Sequence, residues 1–159
     1  MIKFLDLYKQ DKNLHKSILK EINILFKKGD FILGSKVKMF EKNFADYCGS
    51  KFAIGCANGT DALTLALKSL DLPRNSEVIL PAMTYCSTAF SVIEANLKPI
   101  LVDTDKLSPN ISIQDLKKKI NKKTKVILPV HLYGSVANLL EIKKLIKNKK
   151  IYLIDDCSQ

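Results

Sequence analysis

Residues 77–102 read EVILPAMTYCSTAFSVIEANLKPILV, and this stretch decides the fold. Residues 77–80, in which Glu77 is followed by three apolar residues, predict a strand that ends at Pro81. Apolar residues at helical spacing predict a helix over 84–95, and the run 99–102 predicts the next strand. A strand, a helix and a strand in this order favour a parallel sheet, because parallel neighbours need a crossover connection.

The same alternation continues on both sides of this stretch. It predicts further strands over 52–56, 125–130 and 151–154, and further helices over 9–28, 35–47, 58–70, 111–120 and 138–147. Gly29 and Gly49 are the expected stops of the first two helices. The pattern predicts an α/β fold with three α/β/α layers and a mainly parallel sheet. No linker is visible, so we expect one domain, with N-terminal helices over 1–50 and an alternating core over 51–159.

Composition narrows the class of protein. The chain has 159 residues, 47% of them hydrophobic, and no apolar stretch approaches the roughly 20 residues that cross a bilayer. Asp6, Lys9 and Asp11 interrupt the apolar residues near the N-terminus, so we expect no signal peptide, no membrane partner and a cytoplasmic protein.

The net charge of +10 comes almost wholly from lysine, with Arg74 the sole arginine. Because arginine is the usual reader of guanine and phosphate, we expect a solvated lysine-rich face and no nucleic-acid partner.

The cysteines carry no metal or disulfide pattern. Cys48, Cys56, Cys86 and Cys157 form no Cys-x-x-Cys pair, and the chain has two histidines. We expect no metal site and four reduced, mostly buried thiols.

Residues 57–62, ANGTDA, follow a predicted strand and open a helix. Free N–H groups at a helix start favour an anion such as a phosphate, Gly59 lets a ligand approach the backbone, and Thr60 adds a hydroxyl. The alternative is an ordinary helix cap formed by Asn58 with Asp61.

Residues 81–88, PAMTYCST, follow the next strand. Tyr85 is suited to stack on a flat cofactor ring, with neighbouring hydroxyls holding polar groups. The alternative is that Thr84 caps the following helix and Tyr85 packs against the sheet.

Residues 155–159, DDCSQ, follow the last predicted strand. Two carboxylates after a buried strand need partners, and a positively charged ring nitrogen or a metal would serve. The alternative is a helix cap.

His131 lies at the end of the fourth strand. It is a possible general base or, more simply, a hydrogen-bonded structural residue. Asp103 and Asp105, after the third strand, could form an acid pair for phosphoryl or metal chemistry, and the simpler interpretation is that they cap the turn. All these turns follow parallel strands and therefore fall on one edge of the sheet.

Taken in order, these motifs resemble the DegT/StrS-type sugar aminotransferases of pyridoxal-phosphate (PLP) fold type I. The resemblance covers essentially the whole chain. It is carried by six blocks in the family's order and spacing: FLDL at 4–7, FILG at 31–34 with FEKNFA at 40–45, NGTDAL at 58–63, PAMTY at 81–85, PVHLYG at 129–134, and Asp155-Asp156 followed by Gln159.

The resemblance implies pyridoxal 5'-phosphate as cofactor and a role for each matching residue. Gly59, Thr60 and the Asp61 backbone amide are implied as the phosphate-binding turn, and Tyr85 as the aromatic on the pyridine ring. Asp156 is implied as the carboxylate paired with the ring nitrogen, and Gln159 as the residue beside the cofactor's phenolic oxygen.

The resemblance also implies amino transfer from an amino acid, commonly glutamate, to a keto-sugar nucleotide, in an enzyme that is a homodimer when full length. The family's Schiff-base lysine lies further along, and none of the lysines present matches it, so we expect an N-terminal part of the large domain that is inactive alone. The small C-terminal domain is likewise expected to be absent. The alternatives are a PLP-dependent sugar dehydratase of the same family, in which a histidine replaces the lysine, or a non-catalytic regulator.

Overall fold

The structure is a computed structural model that describes residues 4–159. The described chain divides into two compact units, one ending at Gly55 and one running from Cys56 to Gln159. No helix among the described residues is both long enough and apolar enough to span a membrane.

The first unit is helical. It contains α1 (Leu7–Gln10), α2 (Lys12–Lys28) and α3 (Ser35–Cys48). Gly29 and Gly49 end α2 and α3 in the left-handed conformation, at φ 65° and 64°, which confirms both predicted stops. Asp30 accepts hydrogen bonds from the Ser35 hydroxyl and N–H at 2.7 and 2.9 Å, and these bonds hold the pKa of Asp30 below its ordinary value.

The strand predicted over 52–56 is wrong. These residues belong to no strand of the described chain, and Ile54 is 81% exposed. The N–H of Gly55 donates instead to the Glu41 carboxylate, at 2.7 Å. An apolar run becomes a strand only where a neighbouring backbone takes its hydrogen bonds, and a local apolar pattern does not contain that information.

The second unit alternates helices and strands, close to the predicted boundaries. In chain order its elements are α4 (Gly59–Lys68), β1 (Glu77–Pro81), α5 (Cys86–Glu94), β2 (Lys98–Val102), α6 (Ile113–Lys119), β3 (Thr124–Ile127), a 3₁₀ turn (Leu132–Gly134), α7 (Leu139–Ile146) and β4 (Tyr152–Leu153). The four strands form one sheet in the order β2-β1-β3-β4, and every pairing is parallel.

Alternate residues of the sheet face two separate apolar cores. Val78 and Leu80 pack with Leu63 and Leu67 of α4 on one face. On the other face Ile79 joins a second core, whose helical members include Leu116 of α6 and Ile142 of α7. Helices therefore cover both faces of the sheet, which confirms the predicted three-layer α/β/α class.

The cysteine prediction is wrong. All four residues, Cys48, Cys56, Cys86 and Cys157, are exposed. Each lies at a helix end or in a turn rather than at a core-facing position, and position along an element overrides the general tendency of thiols to be buried. Within the described range, no group of three histidine, cysteine, aspartate or glutamate side chains is placed to hold a metal ion.

The prediction that the lysine-rich runs are solvent-exposed is confirmed. Lys117, Lys118 and Lys119 in the last turn of α6 are exposed, as are Lys143 and Lys144 of α7. Positive charge near the end of a helix is favoured by the helix dipole, so these lysines have an ordinary structural explanation.

Candidate cofactor-binding site

A cavity of about 330 Å³ lies where three loops of the second unit meet, beside the carboxyl ends of β1, β3 and β4. Small-molecule pockets typically enclose about 300–1,000 Å³, so it is large enough for a compact ligand. Its walls are the start of α4 (Gly59, Thr60, Leu63), the turn into α5 (Thr84, Tyr85, Ser87, Thr88), the loop after β3 (Val130, Leu132) and the segment after β4 (Asp156, Ser158, Gln159).

The first wall is the N-terminus of α4. Asn58 is its N-cap, and its Oδ1 accepts the N–H of Asp61 at 2.9 Å. The first N–H groups of a helix have no acceptor within the helix, so those of Gly59 and Thr60 are suited to an anion in the cavity. A Cβ added at Gly59 would make an ordinary van der Waals contact, at 3.5 Å, with the Ser158 hydroxyl, which also lines the cavity.

Asp61 is placed differently from Gly59 and Thr60. It does not line the cavity, and the Asn58 amide group donates to its carboxylate at 3.0 Å. The cap interpretation is therefore correct for Asn58 and Asp61. It leaves Gly59 and Thr60 for a ligand, while the Asp61 amide predicted to bind phosphate is engaged by the cap.

The second wall is the turn between β1 and α5. Tyr85 is the N-cap residue of α5 and is 72% exposed, so it does not pack against the sheet. Thr84 does not cap the helix through its side chain, because its hydroxyl lies 2.9 Å from the hydroxyl of Thr88, one turn along. The helix begins at Cys86, two residues after the predicted residue 84, and Tyr85 lines the cavity.

A further wall, the last of the four, is the segment after β4. Asp156 is 7% exposed, and its backbone bonds to the β3 side through Pro129 and His131. The carboxylate accepts the hydroxyl and N–H of Ser158 at 2.6 and 3.1 Å, and the hydroxyl of Thr88 at 3.4 Å. Among residues 4–159, no basic side chain forms an ion pair with it. Asp156 is thus a buried acid held by neutral donors, with space beside it.

Gln159 lies at the rim of the cavity. Its side-chain oxygen accepts the N–H of Tyr133, a residue held in the left-handed conformation at φ 55°. The contact joins the segment after β4 to the 3₁₀ turn that contributes Leu132 to the cavity.

His131 does not line this cavity. Its Nδ1 accepts the N–H of Ala137 at 3.0 Å, which confirms the structural interpretation and requires that Nδ1 carry no proton.

A larger cavity, of about 630 Å³, lies after β2 and includes Asp103 and Asp105. Their carboxylates accept the backbone N–H groups of Thr104 and Leu107, at 2.8 and 3.0 Å. These acids cap their turn, which agrees with the simpler of the two interpretations.

The structure therefore brings together five of the six predicted cofactor-binding residues, Gly59, Thr60, Tyr85, Asp156 and Gln159, around one cavity. The sequence motifs did not single out Ser158, and they gave Thr88, the last residue of the motif at 81–88, no role of its own. A serine two residues after an aspartate is a sequence signal for the observed turn, in which the aspartate side chain accepts the following N–H.

The fold and the cavity define a class: an α/β protein with a small-ligand site at the carboxyl ends of parallel strands, beside a helix N-terminus. The chain belongs to the DegT/DnrJ/EryC1/StrS aminotransferase family, whose family model matches residues 12–159.

Individual relatives agree with this assignment. The dTDP-3-amino-3,6-dideoxy-alpha-D-galactopyranose transaminase of Aneurinibacillus thermoaerophilus is 38% identical over all of this chain and 44% of its own length. The structure of S. venezuelae DesV matches with a TM-score of 0.94 and 31% identity, over 99% of this chain and 43% of that one. The E. coli GDP-4-keto-6-deoxy-D-mannose-3-dehydratase, solved with bound hydrated PLP, matches with a TM-score of 0.82 and 30% identity, over 98% and 39%. The chain thus spans less than half the length of these relatives.

Proposed function

We propose that this chain forms the cofactor-binding part of a PLP-dependent sugar aminotransferase. The observation that carries the proposal is that Thr60, Tyr85 and Asp156, from three separate turns, line one cavity. A helix N-terminus, an aromatic side chain and a buried carboxylate are the three groups that a phosphorylated, cationic aromatic ring requires.

The residues fit PLP group by group. The phosphate would lie against the Gly59 and Thr60 N–H groups and the Thr60 hydroxyl, where the dipole of α4 favours negative charge. The exposed Tyr85 side chain offers a flat face for the ring. The buried Asp156 carboxylate, held by hydroxyl donors and lacking an ion pair within the described chain, would receive the ring nitrogen.

Bound PLP supplies an electron sink for the reacting amino compound. The residues of this chain would bind and orient the cofactor. Asp156 keeps the proton on the ring nitrogen, Tyr85 restricts the tilt of the ring, and the start of α4 anchors the phosphate. We assign Gln159 to the phenolic oxygen, because its side chain lies at the rim and is already fixed by Tyr133.

For the substrate we propose a keto-sugar nucleotide, with glutamate as amino donor. The names of relatives support this class, since the transaminase quoted above acts on a dTDP-linked sugar. We also infer from the family a cytoplasmic enzyme that assembles as a homodimer. The reaction is tested with the full-length enzyme, glutamate and a keto-sugar nucleotide. Mass spectrometry should detect the two products, 2-oxoglutarate and the aminated sugar nucleotide.

A second candidate is PLP-dependent dehydration of a sugar nucleotide. It is favoured by the similarity to the E. coli dehydratase, which covers 98% of this chain. The products separate the two reactions, because amino transfer leaves nitrogen on the sugar, whereas dehydration removes an oxygen from it.

Cofactor binding can be tested on the 159-residue chain itself. The chain contains 25 lysines, which form adventitious adducts with the aldehyde of PLP, so the probe should be pyridoxamine 5'-phosphate, which has no aldehyde. Calorimetric titration is expected to give saturable binding with a Kd below about 1 mM. Pyridoxamine, which lacks the phosphate, should bind at least about tenfold more weakly, since it loses the charge-assisted bonds at the start of α4.

Tyr85→Ala should weaken binding of the probe by about 5-fold or more, the lower end of measured aromatic stacking effects. Tyr152→Ala is the matched control, because Tyr152 lies on β4 and does not line the cavity. Absence of saturable binding, or equal affinity for pyridoxamine, would remove the proposed function.

A further inference from the structure

The Asp156 carboxylate is linked to three hydroxyl groups by a series of hydrogen bonds. Ser158 approaches Oδ1 at 2.6 Å through its hydroxyl, and Thr88 approaches Oδ2 at 3.4 Å. The hydroxyl of Thr84 lies 2.9 Å from that of Thr88. Each carboxylate oxygen therefore has a hydroxyl neighbour, one from α5 and one from the segment after β4.

The direction of these hydrogen bonds follows from the chemistry of the groups. An ionised carboxylate only accepts, so the Ser158 and Thr88 hydroxyls must both donate to it. The Thr88 oxygen is then left to accept, and Thr84 becomes the donor in the threonine pair. The protons point from Thr84 to Thr88 and from Thr88 to Asp156.

The burial of Thr88 and Asp156 increases the importance of the hydrogen bonds to the carboxylate. Thr88 is 1% exposed and Asp156 is 7% exposed, so water does not readily replace the Thr88 hydroxyl, whereas Ser158 is exposed and contributes through its short bond. Hydrogen bonds to a charged group are stronger than those between neutral groups.

We infer that the hydroxyls of Ser158 and Thr88 are positioning groups that keep the proton shared by Asp156 and a bound pyridine ring on the ring nitrogen. The inference rests on the proposed function. In a buried pair the proton can lie on the nitrogen, leaving two charges, or on the carboxylate, leaving none. Donors to the carboxylate stabilise the first arrangement, and Thr84 supports Thr88 by donating to its oxygen.

The test measures where the proton lies, independently of turnover. Pyridoxamine 5'-phosphate labelled with ¹⁵N in the ring is bound to the chain at neutral pH, and its ¹⁵N chemical shift reports the protonated fraction. Ser158→Ala and Thr88→Val each remove one hydroxyl at nearly constant shape. Each is expected to lower the ratio of protonated to neutral ring nitrogen by about 3- to 10-fold, because the Ser158 bond is short but exposed and the Thr88 bond is buried but 3.4 Å long.

Three comparisons keep the result specific. Thr88→Ser keeps the hydroxyl and should preserve the wild-type shift, which separates the hydroxyl from the packing of the methyl group. Ser69→Ala removes a surface hydroxyl that donates to the Ala66 carbonyl, and should also preserve it. Circular dichroism of every variant reports whether the fold is retained.

Identical ring-nitrogen shifts in wild type, Ser158→Ala and Thr88→Val would overturn the inference while leaving cofactor binding intact. A Thr88→Ser variant as impaired as Thr88→Val would also overturn it, since packing would then be the cause. A wild-type chain that does not bind the probe would overturn the proposed function, and this inference with it.

Discussion

Asp156→Asn is expected to weaken binding of pyridoxamine 5'-phosphate by at least about 30-fold. Truncating one partner of a buried, hydrogen-bonded charge pair typically costs about 2–5 kcal/mol, and 2 kcal/mol corresponds to about 30-fold in Kd. Asparagine has nearly the same shape as aspartate, so the cavity is retained. Its neutral amide no longer stabilises a protonated ring nitrogen, and its NH₂ group faces hydroxyls that now donate toward this position.

Asp155→Asn is the control for this substitution. The two acids are adjacent in the chain, but Asp155 is exposed and does not line the cavity. Calorimetric titration should give a wild-type Kd for Asp155→Asn, because the change in net charge is the same while the buried carboxylate is untouched. Equal weakening by both substitutions would mean that Asp156 acts only through overall charge, against the role proposed for it.

Leu67→Ala is expected to lower the free energy of unfolding by about 2–5 kcal/mol. Leu67 is 1% exposed and packs α4 on the sheet with Val78 and Leu80. Removing its branched end leaves a cavity under the helix whose N-terminus presents Gly59 and Thr60. Urea denaturation followed by circular dichroism measures the change directly.

Leu65→Ala is the matched control on the same helix. Leu65 is 55% exposed, so the same loss of atoms should change the free energy of unfolding by no more than about 0.5 kcal/mol. If the two substitutions destabilised the chain equally, the assignment of the core-facing side of α4 would be wrong.

The architecture follows from local periodicity because the strands are short, buried and separated by helices. Val78, Ile79 and Leu80 form a continuous apolar run, and the structure shows why: adjacent residues face two different cores. The same reasoning failed at 52–56, where an equally apolar run has no neighbouring strand within the described chain. Pairing depends on distant residues, and an apolar run does not reveal whether they are present.

The part of the candidate site that depends on the topology of the sheet could be predicted from the sequence. Once the strands are parallel, the turns that follow β1, β3 and β4 must meet at one edge, and Tyr85 and Asp156 lie in two of these turns. The contact between Thr88 and Asp156 was not predictable, because the two residues are 68 positions apart. Residue type likewise left open whether Asn58 and Asp61 cap a helix or bind an anion, and the geometry shows that they form the cap.

The central claim is that three turns of this chain enclose one phosphorylated pyridine. ¹H–¹⁵N NMR of the labelled 159-residue chain during titration with pyridoxamine 5'-phosphate tests it most directly. The account predicts that backbone amides of Thr60, Tyr85 and Ser158 shift together along one binding curve, while those of the lysine-rich turns that end α6 and α7 stay in place. Shifts confined to the lysine-rich turns, or different binding curves for the three amides, would contradict the claim.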